Sequence, residues 1–346
     1  MTGTDPLRIG LVITVLDEAS SIDSLLESIV AQTLPPDEVV VVDGGSVDGT
    51  VARLRCWEGR LPLTVVTLPG ASISTGRNRA LAAVRADIVA VTDAGVRLDP
   101  AWLAELTEPF RRRANPPDVA AGFFRADPRT VFELALAATT LPNEQDIREE
   151  RFLPSSRSVA FRRSLFEAGL RYPEWLDYGE DLVFDLRLRR SGARFEFRPL
   201  AYVWFRPRQT PGAHWSQYYR YARGDGKAGL FGRRHLLRYL TYGVLVPAVL
   251  LRRDRPIIVA AGVGALLYLR QPWARLWRRH HEFDSRQLVP AAALVPGLRL
   301  LGDVAKMAGY PFGLVWRARR YGLRRNWRTV PEDAGLLRRD EVGQKP

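Results

Sequence analysis

Three short acidic motifs carry the residues best suited to chemistry: Asp43-Gly44-Gly45-Ser46-Val47-Asp48-Gly49-Thr50, Thr92-Asp93-Ala94-Gly95 and Gly179-Glu180-Asp181. Asp43 directly follows an apolar run, so a carboxylate and a tight glycine turn stand at one strand exit. There it can accept bonds from a ribose hydroxyl or a base edge. The same run also reads as a plain strand-to-helix turn in which Asp48 or Thr50 caps the next helix. Asp93 ends another apolar run and offers hard oxygens to Mg²⁺ or Mn²⁺ against a diphosphate, with phosphate oxygens and water completing the shell. Glu180 and Asp181 fall in the first turn of a helix, where the dipole favours carboxylates and a base can take a proton from an attacking hydroxyl.

These motifs need a scaffold that gathers them. From Ile9 to Val15 the chain is almost wholly β-branched, and a helical pattern through Ile22, Leu25, Leu26 and Ile29 follows. The unit recurs as Glu38 to Val42 with Thr50 to Trp57, Leu63 to Leu68 with Arg77 to Val84, and Ile88 to Thr92 with Ala101 to Arg111. Strands this apolar, alternating with helices, predict an α/β fold with a parallel sheet covered on both faces, whose ligands bind beyond the carboxyl ends of the strands. Farther on, the pattern predicts a helix over Thr130 to Thr139, a strand over Ser158 to Phe161, a helix from Glu180 to Ser191, and two strands near Phe195 and Tyr202. Ser155 to Ser158 is expected beside an acceptor.

In order and spacing, six elements together resemble the family 2 glycosyltransferases of the GT-A fold, over roughly Leu7 to Gly226. They are Thr14 to Glu18, Asp43 to Thr50, Gly76-Arg77-Asn78, Thr92 to Gly95, Gly179 to Asp181, and Gln217-Tyr218-Tyr219-Arg220-Tyr221. The resemblance implies a GT-A sheet sandwiched by helices, with a Rossmann-like nucleotide-binding half. It also implies that Thr14, Leu16, Glu18, Asp43, Gly45, Ser46, Arg77, Asp93, Ala94 and Arg220 bind a nucleotide-diphosphate sugar. Asp93 would hold a divalent metal (Mg²⁺ or Mn²⁺), and Asp181, beside Glu180, would be the general base of an inverting displacement.

Two departures narrow the expectation. The family's metal motif usually offers a second carboxylate two residues on, but Gly95 stands there, so Asp93 is alone. Tyr221 replaces the Trp of the processive synthases, which favours transfer of a single sugar. His214 is a candidate extra metal ligand, with a structural role the more ordinary reading.

Composition sets the second half apart. Up to Phe205 there are 24 basic and 29 acidic residues, and beyond it 27 basic and 9 acidic, so net charge runs from −5 to +18. Apolar runs at Tyr239 to Leu251 and Pro256 to Leu269 are broken by Arg252, Arg253, Asp254 and Arg255, and fall short of the ~20 residues of a spanning helix. Further apolar stretches, Leu288 to Leu301 and Ala308 to Trp316, are interleaved with Trp273, Trp277, Trp316, Trp327 and many arginines. That mixture suits an anionic membrane surface with helices lying in its plane or re-entering it. The expected organisation is a catalytic domain at 1–226, a basic helical membrane-associated region at 227–330 and a flexible tail at 331–346.

With a single Cys56 and no leader-like pattern evident, a reducing setting is expected, at the cytoplasmic face of the membrane. Its expected acceptor is a lipid-linked or cell-envelope glycan. No strand precedes a Gly-x-Gly-x-x-Gly turn, which argues against a nicotinamide oxidoreductase. The basic residues alternate with apolar runs and not with base-stacking surfaces, so nucleic acid is not an expected partner. A catalytically inactive, transferase-like binding protein is the alternative reading.

Overall fold

The computed structural model describes residues 7–112, 114–252, 254–322 and 325–329. The tail expected at 331–346 lies outside the described residues. In chain order the elements are β1 (Ile9–Val15), α1 (Ile22–Val30), β2 (Glu38–Asp43), α2 (Thr50–Arg55), β3 (Leu63–Thr67), α3 (Ile73–Ala83), β4 (Ile88–Asp93), β5 (Val96–Leu98) and α4 (Trp102–Thr107). There follow β6 (Val119–Ala126), α5 (Val131–Thr140), β7 (Val159–Arg162), α6 (Arg163–Glu167), α7 (Glu180–Arg190) and β8 (Phe195–Phe205). The chain closes with α8 (Pro211–Ala228), α9 (Gly232–Leu240), α10 (Val246–Arg252), α11 (Arg255–Trp277) and α12 (Ser285–Tyr321).

The chain divides into two compact units. One holds the residues up to Arg125 with Glu144–Phe205, and the other holds Ala126–Asn143 with the residues from Arg206 to Val330. Gly226, where the sequence places the end of a catalytic domain, lies inside α8 of the second unit.

In the first unit one sheet runs β3-β2-β1-β4-β7-β6-β8-β5. β3, β2, β1 and β4 are parallel, as the apolar runs predict, and their side chains alternate between two cores. Ile9, Leu11, Ile13 and Val15 face Leu25, Leu26 and Ile29 of α1. Val12, Val40 and Val42 face Ala80, Leu81 and Val84 of α3 and the loop after it. The rest of the sheet is mixed, because β7 is antiparallel to β4 and β6, and β5 to β8. Phe195 and Tyr202, expected in two strands, belong to the single strand β8.

Register fixes the functional edge. Val15 pairs with Asp43 and Thr14 with Asp93, so β1, β2 and β4 end at one level. The start of α3 presses onto that edge because Gly76 carries no Cβ: one added there would meet Thr14 Cγ2 at 2.9 Å.

The second unit is helical. α8 and α12 approach so closely that a Cβ on Gly309 would lie 2.1 Å from the Tyr219 carbonyl oxygen, and one on Gly313 equally near that of Arg223. α5 packs through Leu134 and Leu136 with Leu276, Ala291, Val295 and Leu298. The apolar runs do not stop where the sequence suggests. α11 spans 23 residues because the helix continues through polar Arg270 to Trp277, and the two later stretches merge into the 37-residue α12 despite three internal prolines. Both helices are long and apolar enough, by length and composition, to cross a membrane; for α11 this corrects the expectation that Pro256 to Leu269 falls short. α11 is exposed along nearly its whole length, with Val259 at 64% and Leu267 at 60%.

Candidate active site

The loops leaving β1 and β2 are stitched together before they could meet a ligand. Asp17 adopts a left-handed backbone (φ 54°), unusual outside glycine. Its amide donates to Ser46 Oγ at 2.9 Å, and its carboxylate accepts from the Val47 amide at 2.9 Å. Asp48 accepts from the Ala19 and Thr50 amides at 2.9 and 3.0 Å, and Thr50 Oγ1 in turn accepts from the Glu18 amide at 2.8 Å. Asp48 and Thr50 therefore have a structural use in tying the two loops together, but neither caps α2 as the turn reading expects: its N-cap is Gly49, without a side-chain cap bond.

Asp43 is fully buried, and its carboxylate accepts from the Gly45 and Ser46 amides at 3.0 and 3.2 Å and from the Ser46 hydroxyl. Gly45 must turn here with φ 102°, and a Cβ on it would meet Pro69 Cα at 3.0 Å. On the neighbouring β1 side, where Val15 pairs with Asp43, Thr14 is half-buried, as is Glu18, which accepts from Ser21 Oγ, and Leu16 is exposed.

Asp93 and Glu180 meet across Arg77. The Arg77 guanidinium, only 2% exposed, donates from Nη2 to Asp93 Oδ1 at 2.7 Å and from Nη1 to Glu180 Oε1 at 2.8 Å. Burial alone would depress this guanidinium, but Asp93 and Glu180 outweigh it and hold its pKa above the ordinary value. Arg77 lies 5.1 Å over the Tyr172 ring and leaves its Nε buried without a partner. Asn78 anchors the facing loop by bonds to the Tyr172 carbonyl, the Tyr172 amide and Glu174, at 2.9 to 3.0 Å. The Gly-Arg-Asn run thus positions the loop that leads into α7.

At the head of α7, Gly179 is left-handed (φ 77°) and admits Glu180 into the interior while Asp181 stays partly exposed. Burial, then the neighbouring Asp181, push the Glu180 carboxyl up to about 7 against the pull of Arg77. Asp185, one turn on, is buried with Oδ2 unpartnered, and burial with Asp181 again holds its carboxyl well above the usual range. This third carboxyl is absent from the sequence reading, although its spacing of four from Asp181 is legible there. Arg157, within the stretch expected beside an acceptor, has a partner that the sequence does not suggest. Its Nε stands 3.5 Å from Asp93 Oδ2, so both oxygens of Asp93 face arginines.

Other expectations fall elsewhere. Ala94 is buried and packs in the core beside Asp93. Within the Ser155 to Ser158 stretch, Ser156 and Ser158 are buried. Ser156 bonds the Tyr172 hydroxyl, and Ser158, buried, bonds the Ala201 carbonyl and the Trp102 indole at 2.8 Å. Arg220 is exposed on α8, in the second unit. His214 is buried, with Nε2 at 3.2 Å from the Leu298 carbonyl, as the structural reading has it. Among the described residues no group of three His, Cys, Asp or Glu side chains is arranged to hold a metal. The protein's own donor set here is the single Asp93 carboxylate, and it fits a divalent ion only where diphosphate oxygens share the coordination.

Residues 11–169 match the family described as Glycosyl transferase family 2. Among curated proteins, the chain is 24% identical over 198 residues to the uncharacterized glycosyltransferase EpsJ of Bacillus subtilis (strain 168), covering 54% of this chain and 57% of that one. It is 22% identical over 234 residues to the O-antigen chain rhamnosyltransferase RfbN of Salmonella typhimurium, covering 62% and 71%. The chain thus spans little more than half the length of the first of these relatives. Among solved structures, the mannosyltransferase PcManGT of Pyrobaculum calidifontis, in complex with GDP-Man and Mn²⁺, superposes with a TM-score of 0.52 at 21% identity, covering 91% of this chain and 87% of that one. That likeness concerns the fold. Residues 11–169, a little under half of the chain, thus carry the likeness to glycosyl transferase family 2.

Proposed function

We propose that the protein is an inverting glycosyltransferase that moves a single sugar from a nucleotide-diphosphate donor to a lipid-linked or cell-envelope glycan acceptor. The observation that carries this reading is the common edge of β1, β2 and β4, where Asp43 and Asp93 end their strands and Arg77 ties Asp93 to the residue preceding Asp181. Asp43, Glu18, Thr14, Leu16, Gly45 and Ser46 take the nucleoside. Asp93, next to Ala94, would hold a divalent ion together with the diphosphate, and such an ion would supply positive charge against the leaving diphosphate. PcManGT, one of the structural neighbours, is described with Mn²⁺ and GDP-Man, which supports a metal and a nucleotide sugar here as well.

Asp181 is partly exposed and stands beside the buried Glu180, so it is the carboxylate able to meet an acceptor hydroxyl and take its proton. Arg77 braces Asp93 and Glu180, and we assign it to holding them and not to gripping the diphosphate directly. Arg220 remains a candidate for the diphosphate on chemical grounds. Residues 227–330, with their exposed apolar helices and arginines, attach the enzyme to the anionic cytoplasmic surface of the membrane.

Asp181→Asn tests the assignment. It should bind donor as the wild type does and lose transfer, whereas weakened donor binding with transfer intact would sink it. One observation favours the second reading, a transferase-like binding protein without activity: both oxygens of Asp93 already face arginines. Transfer by the wild type excludes that reading.

A further inference from the structure

In the second unit α12 presents Arg299, Asp303 and Lys306 at helical spacing, so the three share one face. Asp303 is buried and satisfied: Arg238 Nε donates to it at 2.8 Å, the Tyr242 hydroxyl at 3.1 Å, and the Tyr268 hydroxyl completes its shell. Asp225 is engaged by His235 at 3.1 Å. The acids of this cluster are therefore already paired, as is Arg238 through Asp303, but Lys306 and Arg299 form no ion pair with them.

Lys306 Nζ lies 4.4 Å over the Tyr218 ring, and among the described residues no hydrogen-bond acceptor reaches it. It is near enough to interact electrostatically with Arg238, Arg299, Asp303 and Asp225. Arg299 lies 4.6 Å over the Tyr268 ring, gives Nη1 to the Thr139 carbonyl at 3.0 Å, and keeps a buried Nε with no partner. Aromatic faces stabilise such cations only partly, and a sheltered excess of positive charge with unused N–H donors is poised for an anion. The cluster is flanked by apolar surface: Leu300, Val304 and Leu267 are 48%, 39% and 60% exposed.

We propose that Lys306 and Arg299, with Arg238 behind them, form a binding site for the terminal phosphomonoester of a membrane lipid, whose chain lies along the exposed apolar helices. The inference deepens the proposed lipid-linked acceptor, but it is tested by binding alone, so its failure would leave the donor chemistry untouched. A dianionic monophosphate offers more acceptor oxygens than a phosphodiester, so the site distinguishes headgroups and does not merely sense surface charge.

The test uses the full chain and vesicles of phosphatidylcholine containing either phosphatidic acid or phosphatidylglycerol at matched charge. The wild type should prefer phosphatidic acid. Lys306→Met, which keeps length over the Tyr218 ring, should lose about tenfold of that binding, while binding to phosphatidylglycerol, which also reports an intact fold, stays unchanged. Lys306→Arg should retain the preference. Equal loss on both vesicles, or no loss on either, would overturn the site. Inorganic phosphate that binds the wild type and not Lys306→Met, without any preference between vesicles, would overturn the lipid as its source.

Discussion

Asp93 and Glu180 are held by one guanidinium, that of Arg77, which donates to the first at 2.7 Å and to the second at 2.8 Å from a position almost wholly out of solvent. The bridge joins the end of β4 to the head of α7, so the candidate metal ligand and the neighbour of the candidate base are set by one side chain. Removing one partner of a buried ion pair leaves a charge uncompensated, which costs about 3–5 kcal/mol. Arg77→Met should therefore lower stability by that order in urea denaturation. Arg77→Lys should lose most of it as well, because an ammonium lacks the planar fork that reaches both acids.

The raised carboxyl of Glu180 predicts a pH dependence of defined sign. Its pKa in the folded protein, about 7, lies above the ordinary 4.5, so the folded state holds the proton more tightly. That contribution is fully present below the unfolded value and is lost as pH rises through the folded one. The melting temperature should fall between about pH 4.5 and pH 7 on this account, with Asp185, raised in the same direction, adding to the fall. Glu180→Gln should flatten the slope over that window in a thermal melt series. An unchanged slope would place the perturbation elsewhere.

Asp181→Asn keeps shape and loses basicity. A general base contributes about 10²–10⁴-fold to rate, so the transfer rate should fall by that order while the donor dissociation constant, measured by calorimetry, stays put. Asp93→Asn should act differently: metal-dependent nucleotide binding should weaken, and metal-independent binding should change little.

The close approach of α8 and α12 gives a packing prediction with an internal control. Gly309→Val would force atoms into the Tyr219 carbonyl, 2.1 Å from the new Cβ, and should destabilise the second unit by about 3 kcal/mol. Gly297→Ala, on the same helix with open space around it, should instead stabilise by up to about 1 kcal/mol through helix propensity. Chemical denaturation followed by helical circular dichroism measures both.

In the parallel half of the sheet β1, β2 and β4 were legible because they are buried on both faces and read as apolar runs, while the edge strand β3, only partly buried, was legible from its β-branched Thr64 to Thr67. β6 was not: Val119-Ala-Ala-Gly-Phe-Phe is poor in β-branched residues. Its Gly122 answers a constraint from elsewhere, since a Cβ there would lie 1.9 Å from Ser158 Oγ. The positions of Asp43, Asp93 and Asp181 followed from strand exits and a helix start. Arg157 and Asp185 did not, because the first reaches Asp93 only through antiparallel pairing of β7 with β4, and the second matters for its burial, which no local pattern records. Helix length in the second unit was misjudged because apolar runs end before helices do when the last turns carry arginines.

The central claim is that the edge formed by Asp43, Asp93 and Arg77 binds a nucleoside diphosphate with a divalent ion. It is tested most directly by thermal melts of the full chain with UDP, GDP or dTDP, each with and without Mn²⁺, in wild type and Asp43→Asn. Bound ligand raises apparent stability by mass action. One nucleotide should raise the melting temperature of the wild type only with metal, and that shift should shrink in Asp43→Asn. No shift with any nucleotide, or an equal shift in the variant, would contradict the assignment of this edge as the donor site.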